Sequence, residues 1–142
     1  MVCIYCRKKT KVVNSRPQKR SNAIWRRRQC GTCEALFTSV ESIDLSASLR
    51  IKRSDGLQPY KKEKLMISLH ESLKHLEGAP EAAKELTETI SSRLISNLNS
   101  SGRSSVLSIS ELVQCTSEVL NQFDKVAGLH YQAIYKEHLK TK

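Results

Sequence analysis

Two cysteine pairs decide what the first third of this 142-residue chain can be: Cys3-x-x-Cys6 and Cys30-x-x-Cys33, with 23 residues between them. A C-x-x-C turn presents two thiolates to one side, and two such knuckles close a tetrahedral four-cysteine site of the kind zinc takes. With a thiolate at all four places, none is left for a catalytic water, so the one Zn2+ expected here is structural. The segment needs such a staple. Residues 1–42 carry few apolar side chains, and a unit that small rarely folds on a hydrophobic core alone. Zinc binding, roughly 10–16 kcal/mol in finger peptides, supplies the missing folding energy. The competing reading, a thioredoxin-like redox pair, requires one C-x-x-C in a βαβ setting, whereas this segment has two pairs and no helical pattern.

The charge is divided as sharply as the cysteines. Ten of the 24 Lys and Arg residues, and no acid, lie in residues 1–33, while the remaining 109 residues hold fourteen of each sign. A cationic head on a neutral body points to a polyanionic partner at the N-terminal end rather than a merely solvated surface. Within the head, β-prone pieces at Lys11–Val13, Ala23–Arg26 and Leu36–Val40 predict two or three strands, with Arg16–Asn22 as a connecting loop. Arg26-Arg27-Arg28 on a strand puts Arg26 and Arg28 on one face and Arg27 on the other. With Arg16, these are the candidate phosphate and base contacts. Trp25, the sole tryptophan, reads as a core plug of the zinc unit rather than a base-stacking platform. Aromatics are 5% of the chain, too few for single-stranded RNA binding by stacking, so duplex DNA is the favoured partner.

A second unit follows. Ile43, Leu45, Ala47, Leu49 and Ile51 alternate, which predicts a half-buried strand running to Lys52-Arg53, with a turn at Ser54-Asp55-Gly56 closed by Pro59. Leu65, Leu69, Leu73 and Leu76 then form a helical stripe. Gly78 ends that helix and Pro80 opens the next, whose buried stripe is Ala83, Leu86, Ile90, Leu94 and Leu98. Ser100–Ser105 is a loop. Ser108 with Glu111 is a capping box before a helix that turns Leu112, Cys115, Val119 and Leu120 inward; Cys115 is a buried structural thiol. A last helix over 125–138 is anchored by Val126, Tyr131, Ile134 and Tyr135. His70 and His75 are expected in solvent.

No apolar run nears the ~20 residues of a membrane span and the start has no apolar signal region, so the chain is expected to be cytoplasmic. No G-x-x-x-x-G-K-[ST] loop, and no set of base, nucleophile or metal carboxylates, points to hydrolysis. The chain is not read as an enzyme.

The residues Lys11-Val12-Val13-Asn14-Ser15-Arg16, Ala23–Cys33 and Leu36–Glu41 resemble the NrdR family, bacterial zinc- and nucleotide-dependent repressors of ribonucleotide reductase genes. The family pattern is kVvDSR followed by aIRRRReCxxCxxRFTTyE. Asn14 stands for its Asp, and Trp25 and Leu36 each stand for an Arg. The second unit resembles the ATP-cone. Its VxKR, EPF and Lys elements correspond to Arg50-Ile51-Lys52-Arg53, Gln58-Pro59-Tyr60 and Lys64. The family's helix LDEVAYVRFASVYR corresponds to Phe123–Lys136, where Gly128 replaces a pocket Tyr and His130 an Arg. The resemblance implies an α+β chain: a four-cysteine zinc ribbon over 1–42, then a mainly helical ATP-cone with a leading β-hairpin over 46–137. It implies ATP or dATP as effector, held by Ile51, Lys52, Arg53, Lys64, Tyr131 and Tyr135. It also implies a homo-oligomer whose subunit association governs its grip on promoter DNA, in the bacterial nucleoid. The alternative is a zinc-ribbon nucleic-acid-binding or assembly protein whose cone no longer senses nucleotide.

Overall fold

The computed structural model describes residues 1–18, 23–100 and 105–139. The chain is α+β and divides into two compact units, Met1–Ile43 and the residues from Asp44 on.

The first unit is a three-stranded antiparallel sheet, β1 (Thr10–Gln18), β2 (Ala23–Cys30) and β3 (Leu36–Glu41), with β2 in the middle. The register sets Arg16 opposite Trp25, Asn14 opposite Arg27, and on the other side Trp25 opposite Val40 and Arg27 opposite Thr38. A bulge between Val12 and Asn14 shifts β1 by one residue. Arg16, Pro17 and Gln18, expected in a loop, belong to β1; the rest of that expected loop, 19–22, lies outside the described residues. Among the described residues of this unit, the buried apolar side chains are Cys3, Ala23 and Cys30. A single sheet with no second layer has little else to bury, so the cysteines are its core.

The second unit begins differently from the alternating strand expected of Ile43–Ile51. Leu45–Ser48 is a turn of helix, α1, and only Arg50–Arg53 is strand, β4. Asp44 explains the change: its carboxylate accepts hydrogen bonds from the Ser46 amide (2.9 Å) and hydroxyl (2.6 Å), an N-cap that closes a helical turn. Leu45 and Leu49, one turn apart, and Ile51 are buried while Ala47 is exposed. Gly56, at φ +127°, closes a hairpin to β5 (Gly56–Pro59). Pro59 is thus the last residue of a strand rather than part of the turn. It is tolerated there because β5 is an edge in the order β5-β4-β6, where β6 is Val106–Ser108, parallel to β4.

The helices are α2 (Lys62–Leu73), α3 (Ala79–Ser100), α4 (Ile109–Phe123) and α5 (Lys125–Ile134). Leu65, Leu69 and Leu73 of α2 and Ala83, Leu86, Ile90 and Leu94 of α3 are buried in one core with Val113, Val119, Leu120 and Tyr131; each large one contributes about 2 kcal/mol of burial. Leu76 and Leu98 pack at its border. Gly78, at φ +77°, makes the corner between α2 and α3, and α3 opens at Ala79, one residue before Pro80. Ser100 closes α3, and 101–104 of the expected loop lie outside the described residues. The capping box forms: Ser108 Oγ accepts from the Glu111 amide at 3.1 Å, and the Glu111 carboxylate accepts from the Ser108 amide at 2.8 Å. The last helix stops at Ile134, and a short 3-10 turn covers Lys136–His138. Val126 and Ile134, expected as anchors, are exposed; the other two, Tyr131 and Tyr135, do pack on the core, and Ala127 is buried beside Tyr131. Cys115 is buried, and its surroundings push its thiol pKa up. His75 is not simply solvated: its Nε2 lies 3.0 Å from Asp124 Oδ1. Among the described residues no helix is long and apolar enough to cross a membrane.

Candidate metal centre and binding faces

The two C-x-x-C turns are built alike. Cys3 N–H donates to Lys8 O (2.8 Å), and Cys30 N–H to Ala35 O (3.0 Å). The residue after each second cysteine, Arg7 or Glu34, takes a left-handed φ of 60° or 57°. Each turn aims amides at its first thiolate: Tyr5 at Cys3 Sγ (3.5 Å), Thr32 and Cys33 at Cys30 Sγ (3.3 and 3.5 Å). The amides of Cys33 and Thr32 lower the Cys30 pKa to about 6, toward the thiolate that a metal requires. The four Sγ atoms lie within 4.8 Å of one another, with Cys3–Cys33 at 3.6 Å and Cys6–Cys30 at 3.4 Å. A tetrahedron with Zn–S of ~2.3 Å has sulfur–sulfur edges of about 3.8 Å, so the cluster suits one zinc ion and offers it a closed shell.

On the sheet above this centre the arginines part company. Arg26 Nε and a terminal nitrogen reach Glu41 at 2.9 and 2.8 Å, and Arg28 Nε donates to Ser39 Oγ at 2.9 Å. Both are committed to β3 on one face. Arg16 and Arg27 lie on the opposite face with Asn14, Trp25 and Thr38, around a cleft of about 290 Å³. Trp25 is 48% exposed. It is no core plug, because the single-layer sheet has nothing to plug.

In the second unit, a cavity of about 180 Å³ opens among β4, β5, α2, α4 and α5. Ile51, Leu65, Val113, Tyr131 and Tyr135 form apolar wall, and Arg53, Lys61 and Lys64 supply three cations. The Tyr131 and Tyr135 rings stack at 4.5 Å between centroids, tilted by 35°, and burial pushes the Tyr131 phenol pKa up. Lys62 is taken out of play by Glu88, at 3.0 and 2.8 Å. The volume falls below the ~300–1,000 Å³ of a typical ligand site, so the cavity has room for a small group or for part of a larger ligand. Beside it the α2 N-terminus has no side-chain cap; the Lys64 amide turns back to Lys61 O at 3.2 Å, and the helix dipole there favours an anion.

The first 41 residues match the family described as "Transcriptional repressor NrdR-like, N-terminal domain". The Transcriptional repressor NrdR of Maricaulis maris is 33% identical over 144 residues, covering 99% of this chain and 85% of that protein. The protein of the same name from Petrotoga mobilis is 33% identical over 138 residues, covering 96% and 89%. NrdR 3 of Paramagnetospirillum magneticum is 33% identical over 145 residues, covering 100% and 90%.

The chain belongs to the NrdR family of transcriptional repressors.

As a member of a family of transcriptional repressors, the chain is a regulator rather than an enzyme. Of the residues singled out from the sequence, the structure brings the four cysteines together, and it brings Ile51, Arg53, Lys64, Tyr131 and Tyr135 to one cavity. It separates Arg16 and Arg27 from Arg26 and Arg28. Lys52 does not line the cavity: on β4 it alternates with Ile51 and Arg53, and so points to the other side of the strand. Lys61 does line it and was missed, although it stands in a lysine run beside Pro59-Tyr60. Gly128, where the NrdR pattern has a pocket Tyr, is not part of the lining; a Cβ there would meet Asn121 of α4.

Proposed function

We propose that this NrdR-family chain represses ribonucleotide reductase genes by binding their promoter DNA through a zinc-stapled head, under control of ATP or dATP bound by the second unit. Cys3, Cys6, Cys30 and Cys33 hold one structural Zn2+, which fixes the sheet that carries the arginines. Duplex DNA is the partner of the head, and self-association of the chain sets how many heads engage at once. Coupling of this kind is reciprocal, so DNA shifts nucleotide affinity as nucleotide shifts DNA affinity.

The observation that carries the nucleotide half is the cavity: apolar and aromatic walls for a base, with Arg53, Lys61 and Lys64 beside the uncapped α2 N-terminus for phosphates. Arg53 and Lys64 are the cations that the ATP-cone resemblance implies, and Lys61 joins them. When bound, the nucleotide supplies a polyanion that these three groups neutralise. Everything else, from wall to helix terminus, is the chain's own.

The test titrates zinc-loaded full-length protein onto duplex DNA from a ribonucleotide reductase promoter with no nucleotide, with ATP and with dATP, following oligomeric state in parallel. A nucleotide-dependent change in affinity, lost in Lys61→Ala/Lys64→Ala, is expected. Tight binding that ignores nucleotide would instead make the chain a zinc-ribbon nucleic-acid-binding protein with a non-sensing second unit.

A further inference from the structure

The face of the ribbon sheet that carries Arg16, Trp25 and Arg27 is unusual for so small a unit. Trp25 is 48% exposed and its cross-strand neighbour Val40 55%, so apolar surface lies open in the middle of a cationic head. Apart from their places in the strand ladder, the side chains of Arg16 and Arg27 have neither an ion-pair partner nor a hydrogen bond among the described residues. The acids of the unit are Glu34, in the second knuckle, and Glu41. Glu41 is spent on Arg26 across the sheet. One face of the sheet therefore has Arg26 neutralised by Glu41 and Arg28 tied to the Ser39 hydroxyl, and the other is apolar at its centre and uncompensated at its flanks.

We propose that the Arg16–Trp25–Arg27 face is the one that meets duplex DNA, with the indole as an apolar contact against deoxyribose and base edges in a groove. Arg16 and Arg27, on adjacent strands, hold phosphates on either side of it, and Arg26 and Arg28 stay on the far face as structural ties to β3. This rests on the reading of the ribbon as the DNA-binding unit and adds which side of the sheet, and which further residue, makes the contact. Charge complementarity selects the occupant: a protein surface would have to be acidic at two flanks and apolar between, whereas a nucleic-acid groove offers phosphate rows with sugar and base surface between them by construction. Strands laid in a groove and apolar wedges against base steps are both known modes. A side chain that replaces a guanidinium with an indole exchanges a salt-sensitive contact for one that salt barely touches.

The experiment uses the zinc-loaded full chain and a labelled mixed-sequence duplex of about 24 base pairs, with single-stranded RNA of equal length as comparison. Trp25 is the only tryptophan, so intrinsic fluorescence reports this face alone. Its emission should change and saturate with duplex binding measured independently by anisotropy. Trp25→Ala should lower affinity by about tenfold with the salt slope unchanged, Trp25→Phe should retain most of the affinity, and zinc content should be unaltered in both. Arg16→Ala/Arg27→Ala should flatten the slope of log affinity against log salt by about 2, one per lost phosphate contact. Arg26→Ala/Arg28→Ala should leave the slope in place. Duplex binding with silent Trp25 emission, or a slope that follows Arg26 and Arg28 instead, overturns the assignment of the face while leaving DNA binding intact. Tighter binding of the RNA overturns the duplex commitment. An emission change driven by protein concentration alone gives the face to a second copy of the chain and overturns the proposal. A chain that binds no duplex at all removes the DNA-binding reading together with this one.

Discussion

Gly128 sets how closely α4 and α5 approach, and replacing it tests that spacing. A Cβ at this position would run into Asn121 Oδ1 and lie 2.7 Å from its Cγ and 3.1 Å from its Cα. The first two contacts are cheap to relieve. Asn121 is exposed, and its side chain can swing to another rotamer for about 0.5–1 kcal/mol. The third is backbone. Carbon–carbon contact wants ~3.5–4.0 Å, so the helices must part by roughly half an ångström. Between them lie Leu120, Ala127 and Tyr131, each at most 2% exposed, and overpacking such a seam costs about 1–3 kcal/mol. Against this, Ala gains about 1 kcal/mol of helix propensity over Gly. Gly128→Ala should therefore destabilise the second unit by about 1–2 kcal/mol, roughly 5–10 °C in Tm for a unit of this size. Far-UV circular dichroism follows it cleanly, because the α-helices of the described residues all lie after Asp44, while Trp25 fluorescence reports the ribbon and should not move. Adding Asn121→Ala should recover only the side-chain part of the loss. A Gly128→Ala protein with a higher midpoint, propensity winning outright, would refute the claim that this glycine fixes the helix spacing. The Tyr of the family pattern would meet the same wall in this chain, so Gly128→Tyr should be worse than Gly128→Ala.

Removing zinc with a chelator, or mutating Cys30→Ser, should unfold the ribbon, shifting Trp25 emission, while helical dichroism persists; a ribbon that stays folded without metal would contradict a core made of cysteines. Ser108→Ala should cost the second unit about 1 kcal/mol by emptying the capping box at α4, visible as a lower urea midpoint with unchanged slope. Asp124 caps α5 through the Ala127 amide at 2.7 Å and faces His75, and these hold its carboxyl below the usual range. A lowered folded pKa contributes stability above the unfolded value near 3.9 that is lost as pH falls through the folded one. Acid melts should accordingly show Asp124→Asn less sensitive than the parent below about pH 4, and parallel curves for the two would exclude the contribution.

Much of this was legible because it depends on spacing. The four cysteines, the Ser108–Glu111 box and the leucine stripes of α2 and α3 are local periodic patterns, and each needs only its own segment to act. The misreadings share a different cause. The alternation from Ile43 to Ile51 is compatible with a strand, but Leu45 and Leu49 also stand one helical turn apart, and the Asp44 cap decides between them. Trp25 was misplaced because burial of an aromatic presupposes a second layer, and no sequence pattern announces that a sheet is bare. Lys52, Lys61 and Lys64 look equivalent in composition; strand alternation turns one away from the cavity, and only the fold brings the other two to it. The division of the arginine run was half visible. Alternation separates Arg27 from its neighbours, but that Arg16 joins it follows from the β1–β2 register, and that Arg26 is neutralised follows from Glu41 on a strand fifteen residues away.

The parallel pairing of β4 with β6 bears on how the protein is made. All strands and cysteines of the ribbon have been translated by residue 41, whereas β4 waits for Val106–Ser108 and the core waits for Tyr131. At 5–20 residues per second, that is a lag of roughly 5–20 s. During it the nascent chain can carry a metal-loaded head ahead of a body whose leucines are still uncovered and whose middle strand has one open edge. A ribosome that stalls before residue 106 would release a polypeptide with an intact head and a sticky, unfinished body, the kind of product that quality-control proteases and holding chaperones intercept.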